Sequence, residues 1–418
     1  MKIRILATVL GVCLCVPQGS AQVIGDVLPP PPAGSMDIHH INTGEGNAAF
    51  FVFPDGTTML FDCGDGRDIK RTPNFKSPPR PDGSRAPAEW IARYIQKFHP
   101  AGPDGALDYL VISRFHSDHM GGVPDLARRM KIRIVLDRGW PDYQKTASFT
   151  GALADQYKGA LQDQIERHGA KAEQFKAGVA DQIVLRNEAA KFPLFEVRNI
   201  AVNGEVWTGS GTEVRQRMPA PAVPNENASS VAMRVRYGGF DYFTGGDLPG
   251  VPGGEASRQT PPSAARRPPP EWADMESPIA WVTGPVDVLV LNHHGGQDSA
   301  NAFFLSVLQP RVHIAQVWDS IQVTAEVLQR LRSERIYAGQ RDIFTTNGLW
   351  EGKKEHMIIF YGEEVALRHV EDLQKLTANQ GHIVIRVAPG GGSYWVYVLD
   401  DAQESFRIRS LHGPYDSR

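Results

Sequence analysis

Two imidazoles and a carboxylate, His116, Asp118 and His119, fall within four positions directly after the apolar run Leu107 to Ile112. At the end of a buried strand such groups are costly unless something satisfies them. A strand-to-loop turn lets residues at spacing i, i+2 and i+3 converge, and a borderline ion such as zinc accepts both imidazole nitrogen and carboxylate oxygen. Taken alone, the segment reads equally well as a polar turn, with Asp118 capping the next helix and Pro124 near its first turn. Two further strand-like runs decide for the metal. Val231 to Phe243 leads into Gly245-Gly246-Asp247, and Val286 to Leu291 leads into Asn292-His293-His294-Gly295-Gly296. Each delivers an acid or an imidazole at a carboxyl end, beside glycines that permit close backbone approach.

The elements needed to hold these ends together follow from the pattern. Met36 to Ile41, Ala48 to Phe53 and Thr58 to Phe61 read as a strand meander, with Pro54-Asp55-Gly56-Thr57 as a turn. From Phe149 to about Gly178 the composition turns helical, with Leu153, Tyr157, Leu161 and Ile165 spaced by four. His168, beside Gly169, reads as part of that helix's end rather than as a ligand. "NAFFLSVLQP" and "TAEVLQRLRSE" read as helices around the strand "RVHIAQVW", extending an αβ layer. "EWADMESPIA" reads as a short helix, and Glu276 facing the site is the less favoured of its placements. The Pro/Gly-rich stretch 249–270 reads as a long loop between two ligand-bearing strands, a lid or a solvated linker. "HIVIRV" and "YWVYVL" read as a hairpin that finishes the sandwich or forms a small appendage.

In order, "IHHINTGEGNAAFFVFPDGTTMLFDCGDG", "DYLVISRFHSDHMGG", "NASSVAMRVRYGGFDYFTGGD" and "VDVLVLNHHGG" resemble the metallo-β-lactamase fold, from about Met36 to about Gly348. Within that fold they are most similar to the hydrolase domain of ComEC-type DNA-uptake proteins and to secreted phosphorylcholine esterases. The resemblance implies an α/β chain built as a four-layer αββα sandwich, with a helical insertion at 149–178 and a C-terminal β hairpin. It implies a metal-dependent hydrolase whose ligands are His116, Asp118, His119, Asp247 and His294, with zinc, one or two ions, as the cofactor and manganese as the alternative. Asp118, His293 and Arg114 are the residues expected to act in catalysis, and which of His293 and His294 is the ligand stays open.

One departure matters. The family's H-x-H-x-D-H begins on Arg114, and arginine cannot lose its proton to bind a metal. The family's later His-Pro is likewise replaced near Gln322-Val323. Read as strand, Arg114 and His116 share a face, which would place a fixed positive charge at the lost ligand's position, with a donor fork suited to phosphate. The alternative is that Arg114 pairs with Asp247 or another acid and the centre has decayed. Asn225, Asn227 and Ser229 lie where relatives supply another histidine, as weak substitutes or simply as turn residues.

Composition bounds the rest. The 418 residues are 41% hydrophobic, as in a globular protein. Residues 1–21 read as a secretory signal, with Lys2 and Arg4 ahead of the apolar run Ile5 to Val16 and Gly19-Ser20-Ala21 at the cleavage site. Nothing later reads as a membrane span, so the expectation is an exported protein, periplasmic or secreted. A proline tether at 22–35 precedes a hydrolase domain at 36–370 and a β-rich extension at 371–418. Cys63 is the one cysteine after the signal and is read as a packing residue. The formal charge of −3 becomes −5 once Lys2 and Arg4 leave with the signal. A chain without basic excess is not built to grip long nucleic acid through counterion release. The first reading is therefore an exported hydrolase of a phosphoester or phosphodiester, or another small substrate. Its rivals are a non-catalytic binding protein with a degenerate metal centre and an amide or lactone hydrolase.

Overall fold

The computed structural model describes residues 24–66, 76–143, 149–218, 225–250 and 273–418. The expected signal and most of the Pro/Gly-rich loop lie outside the described residues. The meander forms as read: β1 (Met36–His40), β2 (Ala49–Val52) and β3 (Thr58–Phe61) pair antiparallel. From there the chain runs parallel through β4 (Leu107–Val111), β5 (Ile132–Asp137) and β6 (Lys171–Gln174). The crossovers are α1 (Pro87–Phe98), the short α2 (Ser117–Met120) with α3 (Val123–Ala127), and α4 (Ala152–His168). The residues read as an insertion are thus the third crossover of the sheet, and Gly169, left-handed at φ 68°, ends their helix.

A second sheet opens antiparallel with β7 (Phe195–Val202), β8 (Glu205–Trp207), β9 (Val214–Gln216), β10 (Ala232–Tyr237) and β11 (Phe240–Thr244). The run Val231 to Phe243, read as one strand, is a hairpin, because Gly238 takes φ 58° and turns the chain. It continues parallel through β12 (Val288–Val290), β13 (Val312–Ala315) and β14 (Asp342–Thr345). Its helices are α5 (Glu276–Thr283), α6 (Ala302–Leu308), α7 (Ala325–Arg332), α8 (Lys353–Tyr361) and α9 (Glu363–Gln374).

Alternation along the strands sorts the apolar residues into three cores. Phe51, Met59, Tyr109 and Val111 meet Val197, Val235, Tyr242 and Ile314 between the two sheets. The opposite faces, through Phe50, Leu60 and Leu110, bury Ile91, Leu126 and Leu161 of the first helix layer. Phe243 and Leu289 bury Ile279, Phe304 and Leu328 of the second. The result is the four-layer αββα sandwich.

At the C-terminal end, of the two readings the one in which the hairpin finishes the sandwich holds: β15 (His382–Val387) pairs with β1, and β16 (Ser393–Leu399) and β17 (Ile408–Asp416) continue outward in the nine-stranded sheet. Residues 24–35 pack rather than swing as a tether: Leu28 is buried, Ile408 donates to Asp26, and Arg386 donates to the Pro29 carbonyl. No helix among the described residues is long and apolar enough to cross a membrane.

Candidate metal centre

The carboxyl ends of β3, β4, β11, β12 and β13 meet at one edge of the sandwich, where a backbone bond and a side-chain bond between the two sheets hold them in register. Val231 donates to Ser113 (2.9 Å), and Gln316 Nε2 donates to the Ala48 carbonyl (2.8 Å). Crevices beyond the carboxyl ends of parallel strands are where open α/β sheets place their sites.

Asp118 and His119 do not sit on a strand. β4 ends at Val111 and the two residues lie in α2, which is clamped by the loops before β2 and after β3: Asn47 N donates to Asp118 O (2.8 Å), Cys63 N to His119 O (2.7 Å) and Asp65 N to Ser117 O (2.8 Å). A Cβ on Gly64 would stand 2.0 Å from the Asp118 carbonyl, so only glycine admits this approach. Cys63 is buried in the same clamp, and burial pushes its thiol well above the usual range, as a packing residue requires. Asp247 follows β11 through Gly246 at φ 55°, whose missing side chain makes room for Ser113, and its N–H reaches Ser230 Oγ (3.2 Å). His293 and His294 follow β12 in a turn where both are left-handed, φ 49° and 58°. Each such non-glycine residue costs about 1–3 kcal/mol, so the surroundings must over-determine the turn.

Asp118, His119, Asp247 and His294, all buried, offer ligand atoms within 4.8 Å of one another. His119 Nε2 lies 3.1 Å from Asp247 Oδ1 and 3.6 Å from Asp118 Oδ2; His294 Nε2 lies 3.1 Å from Asp118 Oδ2 and 3.5 Å from Asp247 Oδ2. Zinc bonds of about 2.0–2.1 Å set tetrahedral edges of roughly 3.3 Å, and the four separations bracket that value. Each ring is oriented from its far side. His119 Nδ1 donates to Asp62 (2.7 Å), itself held by the Ser113 hydroxyl and amide (both 2.7 Å), and His294 Nδ1 donates to the Gln316 carbonyl (3.0 Å). That pattern leaves both Nε2 atoms facing the cluster, as a ligating histidine needs. Among the described residues, His119 Nε2 and Asp247 Oδ1 complete no hydrogen bond although both are buried, and the pair calls for a proton or a metal ion between them. The donor set therefore fits a borderline divalent ion.

Charge supports the same reading. Burial and Arg114 oppose a positive His119, yet Asp247, Asp118 and Asp62 outweigh them and raise its pKa to about 10. Burial opposes ionisation of Asp118 and Asp247, but Arg114 and the facing histidines hold both well below the usual carboxylate range. Asp62, Asp118 and Asp247 against Arg114 leave an excess of negative charge, which a proton on His119 offsets in part and which one divalent ion displacing that proton would cancel.

His116, expected among the ligands, stands outside the group. It occupies the N-cap of α2 with its side chain exposed, because the chain has left the strand and the two-residue alternation that would have put it on the face of Arg114 no longer holds. Arg114 does face the site, but its side chain is only 3% exposed. One nitrogen lies 2.5 Å from Asp247 Oδ2 and 3.3 Å from Asp118, and another donates to Asn227 Oδ1. The fork expected to hold a substrate phosphate is spent on the site's own carboxylates.

His293 lies at the rim with its side chain 31% exposed, Nδ1 2.6 Å from Asp298 and Nε2 3.4 Å from Asn227 Nδ2 and 3.6 Å from Asp247. Burial lowers its pKa, but Asp298 and Asp247 more than reverse this and raise it.

Several supporting residues went unread in the sequence. Asp62 repeats, at the end of β3, the signal of an acid at a strand terminus. Glu226, held by Arg138, accepts from Phe115 N (2.7 Å) and so fixes the loop beside Arg114. Gln322, where the resemblance expects a different pair, accepts from Trp318 N (3.0 Å), and Trp318 Nε1 donates to His294 Nε2 (3.2 Å), a bond that must give way before that nitrogen holds a metal.

No family model matches the chain, and no curated protein does. Among solved structures it is similar to the metallo-β-lactamase fold protein YhfI from Bacillus subtilis, at 11% identity over 74% of this chain and 96% of that one, TM-score 0.36. It is also similar to MEM-A1, a subclass B3 metallo-β-lactamase from a soil metagenome library, at 15% identity over 84% and 97%, TM-score 0.32. Zn(2+)-bound PqqB from Methylobacterium extorquens follows at 12% identity over 67% and 88%, TM-score 0.31.

Proposed function

We propose that the protein is an exported metal-dependent hydrolase with a single-ion centre formed by Asp118, His119, Asp247 and His294, acting on a phosphoester or phosphodiester. The observation that carries this reading is the buried, facing pair His119 Nε2 and Asp247 Oδ1, unsatisfied among donors spaced as tetrahedral ligands. When bound, a divalent ion supplies Lewis acidity and a water acidified towards neutrality. Arg114 contributes a fixed positive charge that lets Asp118 and Asp247 remain ionised in a buried site. His293, steadied by Asp298, holds a proton on Nε2 at the rim, where it can pass to a leaving oxygen. Asn227 Nδ2 beside it adds a donor for an anionic oxygen.

Mature protein dialysed against zinc or manganese should retain one ion per chain and hydrolyse bis(p-nitrophenyl) phosphate, and Asp247→Ala should lose both. Turnover of a chromogenic β-lactam or a lactone instead would move the reading to acyl transfer. Export is supported by the pattern of residues 1–21, and mass spectrometry of the exported protein should find cleavage after Ala21.

A second reading has its own observation. Arg114 neutralises the same carboxylates that would hold the ion, which suits a binding protein that does without one. Metal content near zero after reconstitution would establish it.

A further inference from the structure

The left-handed turn of His293 and His294 is backed by one carboxylate. Glu276, fully buried at the start of α5, accepts through Oε1 from Asn292 Nδ2 and Ala300 N (both 2.8 Å) and through Oε2 from Asn301 N (2.7 Å). Asn292 immediately precedes the two histidines, and its Oδ1 is wedged against the turn that carries Asp247: a Cβ on Gly245 would stand 2.6 Å from it. Ala300 is itself left-handed at φ 54°. Thus one side chain pins both ends of the segment 292–301, each next to backbone that would otherwise relax.

Asn301 widens the knot. Its Nδ2 reaches the Gly250 carbonyl (2.5 Å), Asp274 Oδ1 and Ser277 Oγ (both 3.1 Å), while its Oδ1 caps α6 through Phe304 N (2.7 Å). Gly250 N donates to the Asp298 carbonyl (2.6 Å), and Asp298 is the partner of His293. Residue 250 lies flat on the carboxylate, since a Cβ there would fall 1.8 Å from Glu276 Oε2.

We infer that Glu276 is the positioning residue of the metal centre: by holding Asn292, Ala300 and Asn301 it sets the strained turn so that His294 Nε2 faces Asp118 and Asp247. The inference rests on the metal reading above. The chemistry explains why a carboxylate stands here. Three N–H donors converge with no acceptor among them, and only an ionised carboxylate presents acceptors on both oxygens, so the cradle is complete once Glu276 has lost its proton. Glutamine would turn an NH2 group onto one of those donors, and aspartate would be one methylene short. Among the described residues no cation pairs with this buried acid, so its place is accounted for by the donors it gathers.

The test uses mature protein, Glu276→Gln and Asn292→Ala, with cobalt(II) as the probe. Wild type should bind one cobalt ion with an intense visible band characteristic of low coordination. Both variants should fold, with urea midpoints showing a cooperative native state, yet bind cobalt about 10–100-fold more weakly and with a shifted band, as expected when support behind a ligand is lost. A merely structural role would lower the midpoint and leave affinity and spectrum unchanged in the folded protein. That result in either variant overturns the inference while the metal reading stands. Wild type that binds no cobalt overturns both. Should Glu276→Gln fail to fold, Asn292→Ala alone decides by the same readouts.

Discussion

Replacing Arg114 with Met should destabilise the metal-free protein severely and the zinc-loaded protein much less. The guanidinium is almost fully buried, 2.5 Å from Asp247 and 3.3 Å from Asp118, and Met retains much of the stem while deleting the charge. Removing one partner from a buried ion group leaves the others uncompensated, at a cost of about 3–5 kcal/mol. A divalent ion placed among the same carboxylates supplies the missing charge. Zinc at about 100 times its Kd returns about 2.7 kcal/mol by mass action, and the variant should bind it more tightly than wild type because the neighbouring cation is gone. Urea unfolding followed by tryptophan fluorescence, metal-free and in excess zinc, yields both quantities from midpoints at constant slope. The argument fails if the metal-free variant matches wild type within about 0.5 kcal/mol, the scale of an ordinary surface substitution. It fails equally if zinc stabilises the two proteins by the same amount.

Arg114→His restores His-x-His-x-Asp-His in the sequence, yet metal content should stay at one ion per chain, because His116 is directed to solvent from the N-cap of α2; elemental analysis showing two ions would refute this. Asp62→Asn replaces the acceptor that fixes the His119 ring and should lower zinc affinity about 10–100-fold, measured by competition with a chelator, with little change in the fold. Burial raises the pKa of Glu276 from 4.5 to about 7, against the donors of Asn301, Asn292 and Ala300 that pull it down. Between those values the unfolded chain has lost a proton that the folded chain still holds, so stability should fall as pH rises from 4.5 to 7, by about 3 kcal/mol at 1.36 kcal/mol per unit. Glu276→Gln should flatten that part of the urea-midpoint profile, and an unchanged slope would show that another group carries it.

Strand ends and their cargo were legible from residue order, because alternation and apolar runs are local and a glycine-rich turn after them is a local signal. Asp118, His119, Asp247 and the two histidines were singled out that way, and most of the strands and helices around them form as read. The helix read as an insertion is the third crossover, joining the parallel β5 and β6, and which of the two readings of the last hairpin holds is decided by pairing between β15 and β1, which joins residues more than 300 positions apart. Arg114 and His116 show the limit more sharply. Sequence spacing assigned them one face, but the chain leaves β4 at Val111, and only the clamp between α2 and the loop after β3 decides that Arg114 turns inward and His116 outward. The choice between His293 and His294, the engagement of Arg114 by Asp247, and the role of Glu276 depend on contacts between separate layers. Residue types by themselves determined which chemistry was available; the packing of two sheets at a shared edge decided which atoms meet, because distances between distant segments are set by the sandwich and not by their order in the chain.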